Sequence, residues 1–365
     1  MKTSIALLLT LTLFSFTDDS LSLLKKAQSK INDHAFLRYD YTLLWPNPEG
    51  MVDTLMGTAS FSKHANRYYD YDYIKTQRGG TDLVYINDEL KQIDHSDSVL
   101  VFYTESDLLK EKQIITGNSI VKRSPIALLS KKDWIYKNDT VLSENQYSVY
   151  KTIETDTLIN TNKIDVEWYV YINKAAATLD RYERRAFFNG KSSQIIVYSF
   201  HNYAFEKAGK QLAYHLPAGY RTQLGVKKEK WTLLKEGQTA PVFSATDLQG
   251  KEVNLQNLRG KKTLLVFSTI NCGYCKMALD HFNRKGYQLK DDLNGAYIFP
   301  EDKVEKLTVY ATKVKIPWLV LPAAQQTGKE YGVTGYPTFF LLNEHGVIEK
   351  VMVGYNEQFI ESLRK

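Results

Sequence analysis

The chain has two cysteines, and both fall in one short stretch, Cys272-Gly273-Tyr274-Cys275. Thiols at that spacing can exchange disulfides, supply half of a zinc site, or close a small structural disulfide. A zinc site would need two more ligands; the local candidate is His281, and there is no second cysteine pair. His34, His64, His95, His201 and His215 show no His-x-x-x-His spacing beside a carboxylate, so no metal is expected. A disulfide across so small a loop removes little chain entropy, which makes structure alone a poor reason for it. Redox exchange takes most of the remaining weight, with the Cys272–Cys275 disulfide as the working group and no separate cofactor.

The elements that must position this pair are legible around it. Leu264-Leu265-Val266-Phe267-Ser268 is a continuous apolar run, as a central strand buried on both faces would be. Asn271 ends the run and can cap a helix that opens with the motif and continues through Phe282. At the first turn of a helix the free N–H groups and the positive dipole end favour a thiolate, so Cys272 is expected to be the acidic, exposed nucleophile. Folded into that turn, Cys275 lies within disulfide reach, half buried, and resolves the mixed disulfide. Downstream, strand and helix patterns alternate: a strand over 294–299, a helix over 303–314, a strand over 318–321, a short helix over 327–331, a hairpin of 336–342 with 347–353, and a helix over 356–364. That alternation predicts an α/β layer.

Together with residues 237–243, Asp247-Leu248-Gln249-Gly250-Lys251, Gly335-Tyr336-Pro337-Thr338 and Gly346, the motif makes residues 237–365 resemble the thioredoxin-like superfamily. Within it, the stretch is similar to the TlpA/ResA-like exported thiol-disulfide oxidoreductases. The resemblance implies a thioredoxin-like fold, protein thiol or disulfide substrates, and an upstream electron donor or acceptor. It also implies that Pro337 is cis and faces the cysteines, and that Tyr336, Pro337 and Tyr274 bind substrate, the Tyr336 backbone pairing with an incoming peptide as an added strand. The bland reading of Pro337 is an edge-strand proline. Two positions depart from the family. Val266 stands where thioredoxins carry an acid, and Ala278 where ResA-like members carry a glutamate, so deprotonating Cys275 must rely on water, on Asp280, or on a group from elsewhere. Asn271 replaces the usual tryptophan, and Gly273-Tyr274 is the dipeptide of DsbC-like isomerases, which tilts toward substrate shuffling. Asn271, Gly273 and Asp280 are therefore expected as supporting residues. A peroxidase is disfavoured: Thr269 fits its pattern, but Leu265 occupies the proline position.

Length and composition bound the rest. A chain of 365 residues suits two domains, and 43% hydrophobic with 24% charged residues excludes disorder as a description of the whole. The 47 Lys and Arg are interspersed with 41 Asp and Glu, so no nucleic-acid partner is expected. Residues 1–17, with Lys2 before an apolar run over 5–16 and Asp18-Asp19-Ser20 after it, read as a secretory signal peptide. The run is shorter than the about 20 residues a membrane span needs. No lipobox cysteine follows, and Ser15 and Thr17 are the small residues offered for cleavage, which leaves an uncleaved anchor as the alternative. The mature chain is expected to be exported, to a periplasm in a Gram-negative cell.

Residues 21–226 read as a strand-rich domain. Apolar residues alternate at Leu37, Tyr39, Tyr41, Leu43 and Trp45, again at Tyr69, Tyr71 and Tyr73, and at Val166, Trp168, Val170 and Ile172. Asn47-Pro48-Glu49-Gly50, Arg78-Gly79-Gly80 and Asn189-Gly190 are turn signals between them. The expectation is a mostly antiparallel β domain, a curved sheet or half-barrel, with one or two helices, one of them over 120–132. With Tyr198-Ser199-Phe200-His201-Asn202-Tyr203 and Leu216-Pro217-Ala218-Gly219-Tyr220, this order resembles the LolA-like lipoprotein carriers, which implies a groove for a lipid or peptide. Alternating aromatics are more usually just the buried face of an ordinary sheet. Residues 227–236, opening Lys227-Lys228-Glu229-Lys230, read as a linker to the domain over 237–365. The leading expectation is an exported two-domain thiol-disulfide oxidoreductase, a reductase or isomerase. Its rival is a lipid- or peptide-binding carrier or sensor in which the cysteine pair is only a redox gate.

Overall fold

The structure is a computed structural model that describes residues 16–110, 113–159, 162–225, 231–258 and 260–365. Residues 1–15 of the signal-peptide reading and 227–230 of the linker lie outside them. No helix among the described residues is long and apolar enough to cross a membrane.

After helix α1 (Phe16–Asn32) come strands β1 (Phe36–Pro46), β2 (Val52–Lys63), β3 (Tyr71–Gln77), β4 (Thr81–Ile86), β5 (Glu89–Asp94) and β6 (Val99–Phe102). Four short helices follow, α2 (Glu105–Lys110), α3 (Gln113–Thr116), α4 (Ser119–Lys122) and α5 (Pro125–Leu129). Strands β7 (Ile135–Leu142), β8 (Asn145–Ile159), β9 (Asn162–Asn173), β10 (Leu179–Phe188), β11 (Lys191–Glu206) and β12 (Arg221–Leu224) complete one 12-stranded sheet. Its order is β12-β6-β5-β4-β3-β2-β1-β11-β10-β9-β8-β7, so it is open, with β12 and β7 as its edges. All pairs are antiparallel but one: β12 runs parallel to β6 after the long return of residues 207–220.

The alternation in β1 has the predicted consequence. Leu37, Tyr39, Tyr41 and Leu43 are buried while Arg38 is exposed, because successive strand residues face opposite sides. Leu24, Ala27 and Ile31 of α1, one helical stripe, bury in the same cluster, and Gln28 Nε2 donates to the Leu129 carbonyl at 3.1 Å. The helical patch expected over 120–132 is two helices. Pro125 cannot continue α4 and instead starts α5, which Ser124 caps through Ala127 N at 3.2 Å.

The C-terminal part pairs β13 (Ser244–Thr246) with β14 (Glu252–Asn254) and then builds a five-stranded sheet. Its strands are β15 (Lys262–Phe267), β16 (Leu293–Phe299), β17 (Leu319–Pro322), β18 (Thr338–Leu342) and β19 (Ile348–Val353), in the order β17-β16-β15-β18-β19. Helices α6 (Gly273–Phe282), α7 (Val304–Lys313), α8 (Gln325–Glu330) and α9 (Glu357–Ser362) connect and cover it. Central β15 is apolar from Leu264 to Phe267, where both its faces are covered. Leu265 and Phe267 pack with Tyr331 and Phe340 on one side, Leu264 and Val266 with Phe282, Phe339 and Ile360 on the other.

Candidate functional site

The cysteine motif stands where β15 hands over to α6. The residue that caps α6 is Cys272 itself, in extended conformation, with its Sγ accepting from Cys275 N at 3.3 Å. This corrects the expectation for Asn271, whose side chain turns away to Asp53, Nδ2 to Oδ2 3.3 Å. The Cys275 side chain and the amides of Cys275 and Tyr274 donate to the Cys272 sulfur and pull its pKa down to about 7, against partial burial. Cys272 is then half thiolate near neutral pH. Cys275 is 4% exposed, deeper than the half burial expected, and that burial, reinforced by the neighbouring Cys272, pushes its thiol well up. The Thr269 amide and the Ser268 side chain hydrogen-bond its sulfur. The pair is thus one acidic and one strongly basic thiol, both free.

The loop before β18 supplies the opposite wall. The Tyr336–Pro337 peptide is cis, and the Tyr336 carbonyl accepts from Cys272 Sγ at 3.5 Å. Tyr336 Oη donates to Glu301 at 3.3 Å, and the Pro337 carbonyl accepts from Gly354 N at 2.8 Å, which fixes the loop at both ends. Tyr274 is 38% exposed at the outer rim and nothing crowds Gly273, leaving the approach to Cys272 open. So Cys272, Gly273, Tyr274, Cys275, Tyr336 and Pro337 come together. Asp280 does not join them: it lies on the outer face of α6, paired with Lys276. His281 is buried and engaged by Tyr355 Oη at 3.1 Å and Glu361 Oε1 at 2.6 Å.

Two groups escaped the sequence reading. Val266 and Ala278 are core residues as their types suggest, but Asp302, just beyond β16, is 6% exposed and reaches the segment between β15 and the motif. Its Oδ1 lies 3.3 Å from Thr269 Oγ1 and its Oδ2 accepts from Ile270 N at 3.2 Å; burial pushes its pKa up. The available signal was an acid directly after an apolar strand, at the carboxyl end where open α/β sheets gather their functional groups. The second group is the β1–β2 tip. Asp53 takes both Asn271 and Lys306, the latter Nζ to Oδ1 at 2.6 Å, and Glu49 pairs with Lys276 at 2.9 Å. The tip contacts therefore bracket the motif, at the residue before Cys272 and the residue after Cys275.

A central strand running into a helix whose first turn carries a Cys-x-x-Cys pair, with a cis-proline loop against it, defines a thioredoxin-like domain. The profile of the AhpC/TSA family matches residues 237–351. The thiol-disulfide oxidoreductase ResA of Bacillus thuringiensis subsp. konkukian is 32% identical over 160 residues, covering 42% of this chain and 87% of ResA. The thioredoxin-like protein YneN of Bacillus subtilis is 29% identical over 124 residues, covering 33% of this chain and 73% of YneN. Among solved structures, StoA from Bacillus subtilis matches at 26% identity and a TM-score of 0.29, covering 33% of this chain and 96% of StoA. The chain belongs to the ResA-like thiol-disulfide oxidoreductases and is an oxidoreductase.

Proposed function

We propose that the chain is an exported two-domain enzyme, residues 21–226 and 237–365 after a signal peptide over 1–17, that exchanges disulfides with protein substrates through Cys272 and Cys275. The observation carrying this reading is the asymmetry of the pair: a half-ionised Cys272 capping α6 beside the Tyr336 carbonyl, over a buried, protonated Cys275. The Cys272 thiolate attacks one sulfur of a substrate disulfide, and the other sulfur leaves as a thiolate that takes a proton from solvent. Cys275 then loses its proton to solvent and attacks Cys272 Sγ. The Cys272–substrate bond breaks, the second substrate thiolate leaves, and two electrons have passed from the pair to the substrate. An upstream donor must return them if the enzyme works as a reductase. If the released thiolate attacks a different disulfide of the same substrate, the outcome is isomerisation.

Tyr336, Pro337 and Tyr274 line the path of the incoming chain, and the strand-rich domain positions it. The test is insulin reduction with dithiothreitol as donor. Cys272→Ser abolishes it, and Cys275→Ser accumulates a mixed disulfide on Cys272; turnover by the Cys272→Ser protein would sink the reading.

A further inference from the structure

A cavity of about 740 Å³ opens between the ends of β8–β11 and the first turns of α6. One wall is Gly273, Tyr274 and Met277, the helix that carries the cysteines; the other includes Ile164, Val166 and Phe188. Ile164 and Phe188 are direct cross-strand partners, so their side chains share one face of the sheet. The two walls are held in place by the β1–β2 tip. Asn47 Oδ1 accepts from Glu49 N at 3.0 Å and Met51 N at 2.9 Å, which stiffens the tip, and Met51 packs into the apolar cluster of the C-terminal domain.

The charges lining the cavity decide what it can hold. Arg184 is already paired with Glu154, and Lys276 with Glu49 and Asp280. Among the described residues Lys191 is the remaining cation of the wall, so they offer no cluster of free positive charge to a carboxylate or phosphate headgroup. What remains is a largely apolar surface that also includes Thr155, Thr157 and Ser193, suited to an uncharged peptide segment. Because the cavity and Cys272 share the Gly273–Tyr274 turn, and an extended chain advances about 3.3 Å per residue, the residues flanking a substrate cysteine reach it.

We propose that this two-domain cavity is a substrate subsite that selects protein disulfides whose cysteine is flanked, within a few residues, by large apolar side chains. The proposal rests on the disulfide-exchange reading above and gives the N-terminal domain a role in that exchange, as the specificity wall of a site whose chemistry belongs to the C-terminal domain.

The test compares two peptide disulfides of equal length with the full chain and dithiothreitol as electron donor, one with Phe and Leu beside the cysteine and one with Asp and Ser there. The unmodified protein reduces the apolar peptide with a kcat/KM about tenfold higher, the order expected for burying one large apolar side chain. Phe188→Asp, or Met277→Glu on the opposite wall should the first variant fail to fold, brings that ratio to about one. Equal rates for the two peptides with the unmodified protein overturn the subsite while leaving disulfide exchange intact. Reduction of 5,5′-dithiobis(2-nitrobenzoate), which has no flanking residues, separates the two readings: if the unmodified protein cannot reduce it or either peptide, disulfide exchange falls and the subsite with it. Oleate binding that Phe188→Asp abolishes, with no preference between the peptides, would assign the cavity to a lipid and overturn the proposal.

Discussion

Asp53 and Asn271 meet across the two parts of the chain, Oδ2 to Nδ2 at 3.3 Å, so that a hairpin tip of the N-terminal sheet touches the residue next to Cys272. The same carboxylate takes Lys306, and Glu49 from the same tip takes Lys276. A single hairpin end thus holds the approach to the redox pair from both ends.

This clamp is polar and partly exposed, so it fixes position more than it stabilises. Asp53→Ala combined with Glu49→Ala is expected to cost about 1 kcal/mol or less per pair in urea unfolding. Hydrogen exchange at residues 47–53 should accelerate well beyond that global change. Unchanged protection at the tip would mean that Met51 packing alone holds it.

The acidity of Cys272 comes first from the Cys275 side chain. Alkylation by iodoacetamide should therefore rise with pH through a midpoint of about 7. In Cys275→Ala the donor is gone and the midpoint should move up toward the ordinary thiol value near 8.5. A midpoint that stays put would assign the effect to the helix terminus.

Asp302 is a buried acid held beside the segment that leads into the motif, whereas positions 266 and 278 carry none. It bonds Thr269 and Ile270, the segment whose Thr269 amide also touches Cys275, and is expected to act on the pair through that segment as a positioning residue. Among the described residues, Glu301, Lys306, Tyr310 and Tyr336 are ionisable groups that interact with it. In Asp302→Asn the release of a trapped mixed disulfide should slow by about ten- to a hundredfold and rise with pH only as Cys275 itself ionises, while Cys272 alkylation keeps its midpoint.

The same substitution has a stability signature of known sign. A carboxyl whose pKa is raised in the fold holds its proton to higher pH than in the unfolded chain, so its contribution falls as pH rises through the folded value. Asp302→Asn removes that loss. The variant should gain melting temperature relative to the unmodified protein at pH 7 compared with pH 4, and a gain confined to pH 4 would contradict the burial argument.

Gly332 marks where residues 231–234 dock on the C-terminal domain. Its φ is +69°, and a Cβ there would stand 2.1 Å from the Thr232 carbonyl oxygen. Gly332→Ala should cost about 2–4 kcal/mol in denaturant unfolding, from the left-handed backbone and the backbone clash together.

What the sequence determined by itself was local. The Cys-x-x-Cys pair at a strand-to-helix junction, the doubly apolar β15, the alternation of β1 and β9 and the turn at Asn47-Pro48-Glu49-Gly50 all follow from neighbours in the chain, because period and capping act over a few residues. The split of α4 from α5 at Pro125 was available by the same rule. Tertiary structure decided what depends on distant residues. Which acid comes to lie against the Thr269–Ile270 segment depended on how the chain after β16 folds back, since Asp302 carries no local mark that sets it apart from its neighbour Glu301. That Asp53 and Glu49 would bracket a motif more than 200 residues away had no trace in periodicity or spacing. Only the packing of one domain on the other brings a hairpin tip, a sheet end and a redox helix to the same cavity.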